Sequence, residues 1–193
     1  KEAPRNPWDL NKSPAGSSAG SGSSVAAGLL SGAMGGDTGG SIRGPGSVNG
    51  IAGMRPSWSR LSRQGIFTLS WELDTAGPLA RSAEDTAIML QAIAGYDPND
   101  PTTSQEPLPD YSRALTGNIK SMRVGVLAQM MGDDVQQETK SIVTKAIDVL
   151  SGLGATVEPV SIPLIQKMQG VHTAICDGQA ASYHRGHLRE RYV

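Results

Sequence analysis

The sequence predicts an α/β fold, and three observations carry that prediction. Stretches with helical spacing of apolar residues alternate with short apolar runs of strand length. Glycine is abundant, 24 of 193 residues, well above the usual share. The second half orders strand, helix and strand, with each helix closed by a glycine, which implies a parallel βαβ unit.

Taken in order, residues 1–20 are polar, hold three prolines and have no period, and are expected to be an extended segment entering a Gly/Ser turn. From Ser21 to Gly32, Val25, Leu29 and Leu30 stand among small residues, which predicts a helix with a close-packing face between Gly20 and Gly32. The glycine-rich stretch "GGDTGGSIRGPGS" (35–47) follows. "NGIAGMRPS" and "GIFTLSWELDTAGPLAR" read as short strands and turns. "SAEDTAIMLQAIAG" is a helix with Ser82 as N-cap, Asp85 as a weaker capping-box acid and Gly95 as its stop. After a proline-rich loop, Met122–Ala128 is expected to be a buried strand. The run 133–154 is a long amphipathic helix with Val135, Ile142, Ala146, Val149, Leu150 and Leu153 on its apolar side. "ATVEPVSIP" is a second strand, and the tail from Leu164 to Tyr192 is mostly helical.

Composition excludes several classes. A net charge of −1 gives no field that favours nucleic acid or an anionic membrane. One cysteine, Cys176, rules out an internal disulfide framework and fits a reducing compartment. No apolar run has the length of a membrane span. A cytoplasmic protein is expected. The chain starts at Lys1 rather than Met and reads as a piece of something longer or a processed product.

Several motifs can be weighed and set aside. "GSSAG" (16–20) matches G-x-S-x-G with Ser18 at its centre, but the polar, proline-broken segment before it is not the strand a nucleophile elbow needs. No Gly-Lys pair offers a Walker A loop, the dinucleotide pattern fails at Val25, and no serine precedes a lysine by three residues. His184 and His187, with Glu190, lack the further ligands of a metal site and read as a solvated helix face. His172 and Cys176 are one helical turn apart, and Cys176 in its half-apolar context reads as a buried structural thiol.

The two Ser/Gly-rich segments are too well placed for linkers. A helix separates them, Asp37 and Arg43 sit at fixed spacing in the second, and "GGSIR" can line up backbone N–H groups in a turn that opens onto a helix. Such a turn suits a tetrahedral acyl intermediate, with Ser41 as nucleophile and a base drawn from elsewhere in the fold.

Over residues 14–57 these segments closely resemble the glycine/serine signature of the amidase signature family. "LSRQGIFTLSWELDTAGPLARSAEDTAIML" continues the resemblance to Leu90. The resemblance implies an α/β/α sandwich around a mixed sheet, of which residues 1–193 would be the central part of a single domain. It implies an amidase, a hydrolase of carbon–nitrogen bonds other than peptide bonds, with a Ser-Ser-Lys triad. In that triad a neutral lysine takes the proton of a bridging serine, which relays it from the nucleophile. By motif position Ser41 corresponds to the nucleophile and Ser17 to the bridging serine, whose preceding peptide bond is usually cis. Thr38, Gly39, Gly40 and Ser41 match the oxyanion-hole turn, and Asp37 and Arg43 are expected to brace it. Ala15 and Ala19 stand where the family often has glycine and are expected to be harmless. The family's lysine lies several tens of residues before the bridging serine. Only sixteen residues precede Ser17, and Lys1 and Lys12 are in the wrong context, so the 193 residues alone are expected to lack the base and to be inactive.

The expected partner is a small-molecule amide substrate, with no cofactor, no metal, no membrane and no direct nucleic acid contact; a homodimer is compatible with the sequence. The alternative is the glutaminase component of a glutamyl-tRNA(Gln)/aspartyl-tRNA(Asn) amidotransferase, which releases ammonia from glutamine. Those components usually carry an "SSLDQ" type segment where this chain reads "LSWELDTAGP", which favours the stand-alone amidase. A non-catalytic member is disfavoured by the intact "DTGGSIR" and both serines.

Overall fold

The structure, a computed structural model, describes residues 3–191. Lys1 and Tyr192, which enter the sequence readings above, lie outside the described residues. The chain divides into two compact units. The first comprises the described residues up to Leu115 together with those from His172 onward, and the second is Thr116–Val171.

The first unit holds α1 (Ala19–Ala26), β1 (Gly32–Gly36), α2 (Arg43–Asn49), β2 (Ala52–Gly53), β3 (Ala76–Ala80) and α3 (Ala83–Ile93). β3 is the middle strand of an antiparallel sheet ordered β1-β3-β2. Gly32 to Gly36 pair with Ala80 to Ala76, and Ala52 and Gly53 pair with Ala80 and Leu79. Every residue of β3 is buried. β1 was not expected from the sequence, because four small residues and one methionine show no alternation. Its glycines are required by packing instead. A Cβ on Gly35 would lie 2.6 Å from Ser18 Oγ and 2.9 Å from both Ile42 and Leu79 side chains. Val25, Ile42 and Leu79 are fully buried around this sheet, and Leu61, Ala76 and Leu90 form a cluster against which Ala94 and Tyr111 pack.

α1 stops short of the expected end. Gly28 takes a left-handed φ of 73°, and the Gly28 and Leu29 N–H groups donate back to the Val25 and Ser24 carbonyls. That turn ends the helix and leaves Leu29 exposed, while Val25 alone of the expected apolar face is buried. α3 agrees with its capping signal: the Asp85 N–H donates to Ser82 Oγ at 3.0 Å. The helix ends at Ile93, two residues before Gly95.

The second unit pairs β4 (Arg123–Leu127) with β5 (Thr156–Val160) in parallel, in register Arg123↔Thr156 to Leu127↔Val160. α4 (Gln137–Gly152) connects them, and Gly154 turns the chain at φ 96°. The βαβ order is therefore as the sequence predicts. β4 is a correction in one respect, since none of its residues is more than half-buried. α5 (Met168–Arg191) follows, and from His172 it belongs to the first unit.

Candidate active site

The turn after β1 is organised by one buried carboxylate. Asp37 is fully buried, and its own N–H donates to the Thr75 carbonyl at 2.8 Å. Its carboxylate accepts the N–H groups of Gly40 (2.7 Å), Ile42 (3.2 Å) and Arg43 (3.3 Å). The Arg43 guanidinium closes the ring with donors at 3.0 and 2.9 Å, and Arg55 adds a third contact at 3.6 Å. Burial acts to raise the Asp37 pKa. The Arg43 side chain and the three backbone donors outweigh it and hold the pKa down at about 2. The expected brace is thus a charged knot with Asp37 at its centre rather than a surface ion pair.

This knot decides which amides of the turn remain open. Gly40 takes a left-handed φ of 132° and its N–H is engaged by Asp37. The N–H groups of Thr38, Gly39 and Ser41 have no acceptor among the described residues. Thr38 is held from the side: its Oγ1 donates to Asp74 at 2.5 Å, while the other Asp74 oxygen accepts the Leu69 and Ser70 N–H groups at 2.8 and 3.0 Å.

The peptide bond between Gly16 and Ser17 is cis. It leads into α1, where the Ser18 N–H donates to the Ser41 carbonyl at 3.3 Å, so the two serine-bearing segments meet. Ser18 Oγ is turned to the backbone of Gly36, accepting its N–H at 3.2 Å and lying 3.3 Å from its carbonyl, which is a structural role. Ser17 borders a cavity of about 140 Å³ shared with Asp37, Thr38 and Asp74 on its polar side and Ile66, Phe67 and Leu69 on its apolar side. Arg63 also borders it. It donates to the Trp71 carbonyl and to Thr102 Oγ1, and its N–H binds Asp100, so the proline-rich loop reaches the cavity through this residue.

Ala15 is a correction. It sits at φ 56°, in the left-handed region that favours glycine, so the alanine is strained where glycine would not be. Three other groups were missed in the sequence. Asp74 and Arg55 hold the turn from outside its glycine-rich run, and α5 lies on it. His172 Nε2 is 3.3 Å from the Thr38 carbonyl, Gln179 Oε1 accepts from Ser70 Oγ at 2.5 Å, and His184 Nε2 is 2.8 Å from the Thr68 carbonyl. The histidines therefore act singly on backbone carbonyls, not as the pairs the spacing suggested. Cys176 is half-buried, and burial, with Asp177 and Asp74 beside it, pushes its pKa up, so its thiol is a poor nucleophile.

Comparison with known proteins agrees with this arrangement. The family model described as Amidase matches residues 2–189. The GatA-type chain of the Lysinibacillus sphaericus glutamyl-tRNA(Gln) amidotransferase is 43% identical over 178 residues, which is 92% of this chain and 37% of the relative. The structure of the corresponding glutamyl-tRNA(Gln) amidotransferase chain from Thermotoga maritima superposes with a TM-score of 0.89 at 34% identity, covering 98% of this chain and 40% of its own. A native peptide amidase from Stenotrophomonas maltophilia does so with a TM-score of 0.80 at 35% identity, over 95% of this chain and 39% of its own. The chain thus spans well under half the length of these relatives, and it belongs to the amidase signature family.

Proposed function

We propose that these residues form the central part of a single amidase domain that cleaves the C–N bond of a carboxylic acid amide through an acyl-enzyme. Ser41 attacks the amide carbonyl. Its proton passes to Ser17 and on to a lysine supplied by another part of the domain. The open N–H groups of Gly39 and Ser41, with that of Thr38, receive the oxyanion, each such donor contributing about 3 kcal/mol in the transition state. The amine leaves with the relayed proton, and water releases the acyl group.

The observation that carries this reading is the Asp37 knot. It absorbs the Gly40, Ile42 and Arg43 amides and leaves those on either side of Gly40 uncommitted. A linker has no use for a fully buried carboxylate, whereas a rigid turn that presents amides does. The test is a fluorophosphonate probe on the full-length enzyme. It labels the wild type and fails to label Ser41→Ala; labelling of that variant would refute the assignment.

A second reading concerns the amide itself. The Lysinibacillus and Thermotoga relatives named above belong to glutamyl-tRNA(Gln) amidotransferases, which favours glutamine as the amide and ammonia as the product handed on. The "LSWELDTAGP" segment favours a stand-alone amidase instead. Ammonia release from simple carboxamides by the purified enzyme supports the stand-alone reading. Glutamine-specific release together with co-purification of a tRNA-binding protein supports the other.

A further inference from the structure

His172 lies 131 residues from Ser41 in the sequence, yet its ring rests on the turn that precedes that serine. Its Nε2 is 3.3 Å from the Thr38 carbonyl oxygen. A carbonyl can only accept, so the contact requires the proton on Nε2. The ring is so close to the next residue that a Cβ on Gly39 would lie 2.5 Å from its Cε1 and from Nε2. Any side chain at position 39 would therefore displace either the ring or the turn.

The consequence follows from peptide planarity. The carbonyl of Thr38 and the N–H of Gly39 belong to one peptide unit and point in opposite directions across a trans bond. Whatever holds the carbonyl aims the N–H. Asp37 secures the far side of the turn through Gly40, Ile42 and Arg43, and Asp74 secures the Thr38 hydroxyl. Neither reaches the Thr38–Gly39 peptide itself. That peptide would otherwise be free to rotate, because the Gly39 side offers no steric resistance.

We propose that His172 is a positioning residue for the oxyanion turn: by donating from Nε2 to the Thr38 carbonyl it locks the Thr38–Gly39 peptide with the Gly39 N–H directed at the developing oxyanion. This rests on the reading of Ser41 as the nucleophile. It assigns α5 a part in catalysis through one hydrogen bond and one ring contact, without any contact between His172 and the substrate.

The test compares wild type, His172→Ala and His172→Gln in the full-length enzyme, using a fluorophosphonate and a chromogenic aryl amide. Removing an oxyanion donor outright costs roughly 100-fold or more in rate, and a donor left in place but unaimed is expected to cost on the order of tenfold. His172→Ala is therefore expected to lower kcat and the labelling rate together by about tenfold, with KM little changed. His172→Gln, which keeps an N–H donor on a flexible side chain, is expected to recover most of the loss. A thermal unfolding curve for each variant separates misfolding from misaiming, and His172→Gln serves if the alanine variant does not fold. Unchanged kcat and labelling rate in folded His172→Ala would overturn the proposal, as would a KM effect without a kcat effect. Failure of the underlying reading looks different: the probe would label Ser41→Ala as well as wild type, whatever His172 does.

Discussion

At Asp37 the sequence places a charge where apolar packing would be expected, and the structure surrounds it with donors. Its pKa of about 2 lies below the ordinary 3.8, because the cost of burying the ionised form is outweighed by five N–H contacts that favour it. A lowered folded-state pKa means that the stabilisation is whole above about 3.8 and is lost as pH falls through that value toward 2. The shift corresponds to about 2 kcal/mol. Asp37→Asn keeps the shape, removes the charge and strands the Arg43 and Arg55 guanidinium groups. It is expected to cost about 3 kcal/mol at pH 7 and to flatten the pH dependence below 4. Urea midpoints measured from pH 7 to 3 check both parts, and an undiminished acid slope in the variant would contradict the assignment of that slope to Asp37. Ala15 gives a prediction of the opposite sign. A left-handed alanine costs about 1 kcal/mol, so Ala15→Gly is expected to leave stability unchanged or raise it by up to about 1 kcal/mol, despite the added freedom of the unfolded chain. A lowered unfolding midpoint for Ala15→Gly would count against a strained position.

Elements differ in how far local signals determine them. α3 was legible because everything that fixes it lies within four residues: the Ser82 oxygen, Asp85 and the apolar spacing. Ser82→Ala is accordingly expected to cost about 1 kcal/mol, which thermal unfolding would register. The β4–α4–β5 order was legible for the same reason. β1 was not, because its identity as a strand comes from what approaches it: Ser18, Ile42 and Leu79 crowd Gly35, and β3 supplies the pairing. β3 is constrained likewise. A Cβ on Gly77 would run into the Met54 carbonyl and lie 2.8 Å from Pro56, so Gly77→Ala is expected to cost about 1–3 kcal/mol, more than the loss of the helix cap. A smaller effect for Gly77→Ala than for Ser82→Ala would reverse that order. The candidate site divides in the same way. Ser17, Ser41, Asp37 and Arg43 were legible as a spaced motif, whereas Asp74, Arg55 and His172 reach the turn from 36, 18 and 134 residues away. No sequence period reports contacts of that range.

For the molecule as a whole, the question is whether the described residues can activate their own serine. A serine hydroxyl is a weak nucleophile at neutral pH unless a base accepts its proton. The basic side chain bordering the cavity beside Ser17 is Arg63, a guanidinium that stays protonated and can only donate. His172, the nearby imidazole, holds its Nε2 proton on the Thr38 carbonyl. Lys12 borders a separate cavity with Ala3, Pro4 and Arg5 on the N-terminal segment. The geometry therefore pairs a preorganised turn with an unactivated nucleophile, and the 193 residues by themselves are expected to give no measurable turnover of an aryl amide. The measurement is release of the coloured amine by purified chain, with Ser41→Ala as the control for contaminating hydrolase. Turnover that disappears in Ser41→Ala would mean that a base for Ser41 lies within these residues after all. Activity restored only when the rest of the domain is present would place the base there, as the relay through Ser17 requires.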